Sequence, residues 1–234
     1  MNALLLAAGL GTRLRPLTDR LPKCLVPVHG RPLLGYWLDM LLGNGIAHVV
    51  VNTHYLPAQV EAFVGASRWA PQVTLSPEPE LLGTGGTVLA NAERLGPGAF
   101  MVAHADNLCR FDVRAFVAAH RSRPAGCEIT MMTFATDTPR SCGIVELDGQ
   151  GRVMAFHEKV ESPPGNLANG AVYLLEPAVL AFLRSTGRSV IDLSTEVIPH
   201  FLGRIATFEN RDYLRDIGTP EALARAHAEF TPGS

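Results

Sequence analysis

Residues 3–8 are six apolar side chains in unbroken succession, and they run directly into Gly9-Leu10-Gly11. A strand that is apolar on both faces has to be covered on both, so it belongs in the middle of a sheet with helices above and below. The residues that follow keep the matching rhythm. Residues 32–42 place Leu34, Trp37, Leu38, Leu41 and Leu42 on one helical face. Residues 48–52 are rich in valine and predict a strand, and 57–64 a short helix with Pro57 at its start. A strand over 73–76, a helix over 85–94 and a strand over 100–105 come next, and Asp112 stands as the N-cap of a helix over Val113–Arg121. Strands and helices alternating at this spacing predict a parallel sheet with right-handed crossovers.

The second half changes character. Residues 128–135 predict a strand, and Gly143–Leu147 and 152–157 predict a hairpin turned by Asp148-Gly149-Gln150-Gly151. A strand over 171–175 is opened by the loop residues Asn169-Gly170, and helices follow over 177–184 and 195–202. Thr219-Pro220-Glu221 caps and opens a last helix to about Phe230, leaving residues 231–234 as a loose tail. The expected architecture is a three-layer α/β fold, a mostly parallel sheet with antiparallel strands added in the C-terminal half. Ligands of such sheets bind outside the carboxyl ends of the strands.

Charge narrows the partners. Twenty basic and 22 acidic residues give a net charge of −2, which does not suit a nucleic-acid binder. A polyanionic ligand would need a local cluster of cations. No apolar stretch approaches the ~20 residues of a membrane span. The apolar start has no basic residue before it and meets glycine and arginine at once, unlike a signal peptide. Cys24, Cys109, Cys127 and Cys142 form no CxxC pair and have no histidine at zinc spacing, so they read as reduced thiols of a cytoplasmic protein.

The glycine-bearing loop is suited to phosphate: without side chains the backbone closes on a ligand, successive N–H groups cradle oxygens, and Arg13 adds a planar fork of donors. Two common phosphate loops do not match. A dinucleotide fingerprint needs glycine or alanine where Leu14 stands, and an acid where Thr53-His54 end the second strand. A P-loop needs Gly-Lys-Ser/Thr, which is absent. The full run Gly9-Leu10-Gly11-Thr12-Arg13-Leu14-Arg15-Pro16-Leu17-Thr18, followed by Pro22-Lys23 and Leu25-Val26-Pro27-Val28, resembles the N-terminal signature of the sugar-1-phosphate nucleotidyltransferase family. Further motifs keep the family's order over nearly the whole chain.

The resemblance implies a Rossmann-like nucleotidyltransferase fold in one domain over residues 1–234, with a nucleotide-binding half (1–112) and a sugar-phosphate-binding half (113–230). It also implies that the β-helix domain carried by some relatives is absent. Ala8, Gly9, Gly11, Thr12 and Arg13 would hold the triphosphate, and Arg13 and Lys23 would act in catalysis. Leu82-Gly83-Thr84-Gly85-Gly86-Thr87 resembles the family's nucleobase loop, with Gly83 and Thr84 at the base. Glu80 just before it could accept two hydrogen bonds from guanine, which favours GTP over uracil or thymine nucleotides. Asp106 and Asp216 resemble the two magnesium-binding aspartates. The family's usual glycine before the first is Ala105 here. Phe156-His157-Glu158-Lys159 resembles the sugar-phosphate element, and Asn107, Gly143 and Asn169 complete that side by resemblance.

One observation is independent of any family. Of the 20 basic residues only Lys23 and Lys159 are lysines. A lysine ammonium is a compact point charge on a flexible stem, able to follow a phosphoryl group as it changes shape. The implied reaction needs no covalent nucleophile. A sugar phosphate oxygen attacks the α-phosphorus of a nucleoside triphosphate and pyrophosphate leaves, with Mg²⁺ as cofactor. Alanine at Lys23 or Asp106 is expected to remove turnover and spare the fold. A guanylyltransferase for a mannose- or heptose-type sugar 1-phosphate, working as monomer or homodimer, is the expectation. A uridylyl- or thymidylyltransferase for a muramate or glucose type, a cholinephosphate cytidylyltransferase, or a non-catalytic nucleotide-sugar sensor remain alternatives.

Overall fold

The computed structural model describes residues 1–232, so the last two residues of the expected loose tail, Gly233 and Ser234, lie outside the described residues. The first half runs β1 (Asn2–Leu6), β2 (Pro27–Val28), β3 (Arg31–Pro32), α1 (Leu33–Leu42), β4 (His48–Thr53), α2 (Pro57–Gly65), β5 (Val73–Pro77), α3 (Gly83–Ala90), α4 (Ala92–Leu95), β6 (Phe100–His104), β7 (Asn107–Arg110) and α5 (Val113–Arg121). The second runs β8 (Ile129–Ala135), β9 (Gly143–Leu147), β10 (Val153–Glu158), β11 (Leu167–Leu175), α6 (Pro177–Ser185), α7 (Ile198–His200), β12 (Ile205–Glu209), β13 (Tyr213–Asp216) and α8 (Pro220–Glu229).

β1 is central, parallel to β4 on one side and β6 on the other, and β5 extends the parallel block beyond β4. Its alternate residues serve two cores. Ala3 and Leu5 face Trp37, Leu38 and Phe116 on one side of the sheet, and Leu4 and Leu6 face Val88, Leu95 and Leu183 on the other. This is the burial on both faces that the apolar run implied, and it makes three layers. The antiparallel additions follow in the second half: β11 pairs antiparallel with β6 and with β8, and β9 with β10.

Local signals hold where they were specific. The Asp112 carboxylate accepts the Ala115 N–H at 2.9 Å and the Thr219 hydroxyl accepts that of Ala222 at 3.2 Å, capping α5 and α8. Three differences matter. The helix expected over 195–202 is a π turn, Leu193–Val197, followed by the single turn α7, whose Pro199 has no N–H to continue the ladder. β11 begins at Leu167, so Asn169 sits inside a strand rather than in the loop before it. β12, unforeseen from the sequence, lies parallel to β8.

The sheet's carboxyl edge is where the chain spends its irregular segments. There β7 and β13 form a separate two-stranded ribbon that sets Asp216 opposite Asn107. A third, smaller core of Leu14, Val26, Val28, Ile217, Ala226 and Phe230 fastens the glycine loop to that ribbon and to α8.

Candidate active site

The two glycines after β1 have different reasons to be glycine. Gly11 has φ +63°, and a Cβ there would lie 2.9 Å from Thr18 Cγ2 and 3.2 Å from Lys23 Cβ. The Thr18 hydroxyl donates to the Gly11 carbonyl at 2.7 Å, which locks the turn. Gly9 has no such need: a Cβ on it would meet no protein atom within 4 Å. The space above Gly9 is open, with Thr12 and Arg13 exposed beside it and Leu14 buried beneath as an anchor. This is a backbone surface that a ligand can approach closely.

Next to it lies a cluster of four charges. Lys23 stands in a 3₁₀ turn, Lys23–Leu25, that buries its side chain to 7% exposure. Its Nζ is 2.7 Å from Asp106 Oδ2 and 2.9 Å from Asp216 Oδ1. Arg13 Nη2 is 3.5 Å from the other Asp216 oxygen. Asp106 follows β6, and the β7–β13 pairing brings Asp216 to it from 110 positions further along the chain (216 − 106). Gly218 keeps room for the contact, since a Cβ there would lie 2.7 Å from Arg13 Nη2 and 2.8 Å from Asp216 Oδ2. Burial pulls the Lys23 ammonium down, but the two carboxylates together outweigh it and hold its pKa above the ordinary lysine value. For Asp106 burial acts upward, and the Lys23 charge and hydrogen bond, with help from His104, carry it below the usual carboxylate range. Both groups are therefore charged at neutral pH.

The donor set fits a hard divalent cation. Asp106 Oδ1 is buried with no hydrogen-bond partner, a costly state that a cation relieves. Among the described residues no group of three or more histidine, cysteine or carboxylate side chains could hold a metal. Two aspartates alone suit an ion that completes its shell with water and phosphate oxygens.

The loop expected to read the base is built differently from its sequence reading. Its glycines make room for the protein itself. A Cβ on Gly83 would lie 2.5 Å from the Ile191 carbonyl oxygen, and one on Gly86 2.1 Å from that of Ser189. Gly85 N–H donates to Ile191 O at 2.9 Å and Ile191 N–H to Leu82 O at 3.0 Å. The Thr84 hydroxyl is likewise engaged, accepting from Leu193 N at 2.7 Å and donating to Asp192 at 3.1 Å. A segment of the second half thus clamps this loop. Glu80 is exposed on its rim, whereas Glu78, which sequence reasoning passed over, is buried.

The sugar-phosphate candidates gather on the β9–β10 hairpin and β11. Gly143 pairs with Glu158, and a Cβ on it would lie 2.4 Å from the Phe156 ring and 2.7 Å from Glu158 Oε2. Lys159 has φ +51° and is exposed, its Nζ 3.0 Å from Glu158 Oε1. The two lysines therefore differ: one is buried between aspartates, the other is exposed and paired only with its neighbour Glu158. Asn169 donates from Nδ2 to the Tyr173 hydroxyl at 2.6 Å and accepts the Ala171 N–H at 3.0 Å across a bulge in β11. Asn107 is buried, and its carbonyl accepts the Trp37 indole N–H at 2.8 Å.

The family model described as nucleotidyl transferase matches residues 2–232. The chain belongs to this family. A mannose-1-phosphate guanylyltransferase of Mycobacterium tuberculosis is 36% identical over 238 residues, aligned with all of this chain and 65% of its own length. Mannose-1-phosphate guanyltransferase beta-B of Xenopus laevis is 30% identical over 228 residues, 94% of this chain and 62% of its own length. The chain thus spans somewhat under two thirds of the curated relatives it matches. Among solved structures, a Bacillus anthracis protein assigned as a glucose-1-phosphate thymidylyltransferase superimposes with a TM-score of 0.87 at 20% identity, covering 100% of this chain and 98% of that one. HddC from Yersinia pseudotuberculosis, complexed with GMP-PN, gives 0.81 at 24% identity, covering 98% and 99%. The last two comparisons bear on the fold, which is that of the nucleotidyl transferases.

Within this family frame, the residues missed from sequence are those with no motif of their own. Asn52 and Glu78 sit at ordinary strand ends, and Asp192 in an irregular segment. The one available signal was a polar residue breaking an apolar run near a strand's end, Asn52 after three valines.

Proposed function

We propose that the protein transfers a guanosine monophosphate unit from GTP to a manno-configured sugar 1-phosphate and releases pyrophosphate. The observation that carries this reading is the Lys23 ammonium held at 2.7 and 2.9 Å from Asp106 and Asp216 beside the open backbone at Gly9. Formal charges in the Lys23, Arg13, Asp106 and Asp216 cluster cancel, so a divalent cation, magnesium in this proposal, makes the site positive and polarises the α-phosphate when bound. Asp106, through its unpartnered Oδ1, and Asp216 would hold it.

The remaining work falls to this chain's own groups. The Gly9–Thr12 backbone and Arg13 bind the triphosphate. Lys23 faces the α-phosphate, and its raised pKa keeps the ammonium charged as negative charge builds up there. Exposed Lys159 meets the sugar phosphate, with Glu158 and Asn169 offered to the sugar hydroxyls. A phosphate oxygen of the sugar 1-phosphate forms the new bond to the α-phosphorus while the bond to the β-phosphate bridging oxygen breaks, and pyrophosphate carries away the electron pair. No residue forms a covalent intermediate, so positioning and charge neutralisation carry the rate.

Glu80 supports guanine because its carboxylate stands exposed on the rim of the base loop. The names of the relatives in Mycobacterium tuberculosis and Xenopus laevis point to the same base and sugar. All four cysteines are free thiols, which suits a cytoplasmic enzyme. A pyrophosphate-release screen of four nucleoside triphosphates against mannose, heptose, glucose and muramate 1-phosphates and cholinephosphate tests the proposal. GTP with mannose 1-phosphate should give the highest turnover. A protein that binds nucleotide yet releases no pyrophosphate in any combination would refute it.

A further inference from the structure

Three buried polar side chains are linked near the carboxyl edge of the parallel strands: Asn52, Glu78 and Thr87, none more than 6% exposed. Asn52, next to the end of β4, joins two loops that the chain keeps far apart. Its Oδ1 accepts the Ala7 N–H at 2.6 Å, where β1 passes into the glycine loop. Its Nδ2 donates to Glu78 Oε1 at 3.0 Å. The same Glu78 oxygen is 2.7 Å from the Thr87 hydroxyl, which is also 2.9 Å from the Gly83 carbonyl. The other Glu78 oxygen faces the Leu82 N–H at 3.5 Å. The backbone is pinned as well, with Glu78 N–H donating to Thr53 O at 2.8 Å.

All the side-chain and N–H partners of the Glu78 carboxylate are neutral. A buried carboxylate held by neutral donors carries a desolvation cost that its hydrogen bonds have to offset, so what the trio contributes is the fixed geometry it gives the two loops. An amide is suited to the joint because it offers an acceptor to a backbone N–H on one side and a donor to a carboxylate on the other.

We infer that Asn52 is a positioning residue that couples the phosphate-facing glycine loop to the base loop through Glu78 and Thr87. Filling one loop then orders the other, so that triphosphate and base reinforce each other's binding. This rests on the proposed reading of the site as a nucleotide site.

The test separates the coupling from that reading. Asn52→Asp keeps the acceptor for Ala7 but sets an oxygen against Glu78 Oε1. Asn52→Asp/Glu78→Gln restores the bond with donor and acceptor exchanged. Asn52→Asp should raise KM for the nucleotide about tenfold or more, the loss expected for a hydrogen bond to a charged group. KM for the sugar 1-phosphate should stay within about twofold, and the double variant should recover most of the nucleotide KM. Independently of turnover, magnesium tripolyphosphate should slow amide hydrogen exchange over residues 82–88 in the wild type and the double variant and not in Asn52→Asp. If Asn52→Asp does not fold, Thr87→Val takes its place with a smaller shift in the same direction. Unchanged nucleotide KM with a lowered Tm, or equal rises in both KM values, would mean a structural role only. A wild type that releases no pyrophosphate would overturn the function, while the exchange measurement still decides the coupling: unchanged exchange over 82–88 in the wild type sinks it.

Discussion

Lys23→Met removes one charge and keeps most of the buried stem. In the wild type the ammonium meets two carboxylates, at 2.7 and 2.9 Å, with side-chain exposures of 7% for Lys23, 27% for Asp106 and 53% for Asp216. Breaking a fully buried ion pair by taking one partner costs about 3–5 kcal/mol. Here Asp216 is half in water and recovers much of its solvation, so its contact contributes little. Asp106 does not: its Oδ1 is already without a partner, and the substitution strips Oδ2 as well. The expected loss is about 2–3 kcal/mol, and a chain of this size loses roughly 2–4 °C in Tm per kcal/mol. The variant should therefore melt about 5–10 °C below the wild type in scanning calorimetry. Lys23→Met/Asp106→Asn should regain most of that loss, because it leaves no uncompensated buried charge, while turnover stays lost in both. Magnesium should raise the Tm of Lys23→Met more than that of the wild type, since it finds two carboxylates without their ammonium. An unchanged Tm in the single variant, or a double variant no more stable than the single, would refute the assignment of Lys23 as the counter-charge of Asp106. The variant should keep the fold at a measurable stability cost, so turnover has to be compared per folded molecule.

The two glycines of the first loop should separate cleanly. Gly11→Ala, at φ +63° and facing Thr18, should lower stability by about 1–3 kcal/mol in a denaturant titration, whereas Gly9→Ala should leave the midpoint unchanged and raise only the nucleotide KM. Equal loss of stability in both would remove the distinction. Glu80→Gln should leave Tm unchanged and narrow the preference for GTP over other triphosphates in competition assays; an undiminished preference would take the base-reading role from Glu80. His120 is buried between the Thr130 hydroxyl at 2.7 Å and Glu176 at 3.2 Å. Burial, and then the neighbouring Arg123 charge, depress its pKa despite Glu176. A depressed folded-state value means that the unfolded chain takes up the proton first as pH falls. The contribution is therefore whole above about pH 6.5 and is lost progressively below it. His120→Gln should show a smaller fall in Tm than the wild type between pH 7.5 and 5; an equal fall would exclude His120 as a source of acid sensitivity.

Much of the protein is written locally. Residues 3–8, apolar on both faces, were enough to predict a central strand, and Asp112 and Thr219-Pro220 marked their helix starts, because these signals act within one turn or one strand. The expectation of an anion site at Gly9–Arg13 is local in the same way, since an open backbone and a neighbouring guanidinium are properties of five adjacent residues. The rest depends on partners distant in the chain. Ile205, Thr207 and Phe208 favour a strand only weakly in so short a run, and β8 supplies the edge that makes residues 205–209 one. The glycines at 83, 85 and 86 look ligand-facing in sequence, yet two of their missing side chains are replaced by carbonyls of residues 189 and 191, a hundred positions on. Lys23 and Lys159 are equivalent as letters, and burial between two aspartates makes one a buried counter-charge while the other stands exposed beside Glu158. The sequence alone determined that an open, glycine-bearing loop leading to an arginine follows the first strand. Only the tertiary structure decided that Asp216 stands beside Asp106 and that Asn52 ties that loop to its neighbour, because strand pairing and burial are properties of the assembled chain.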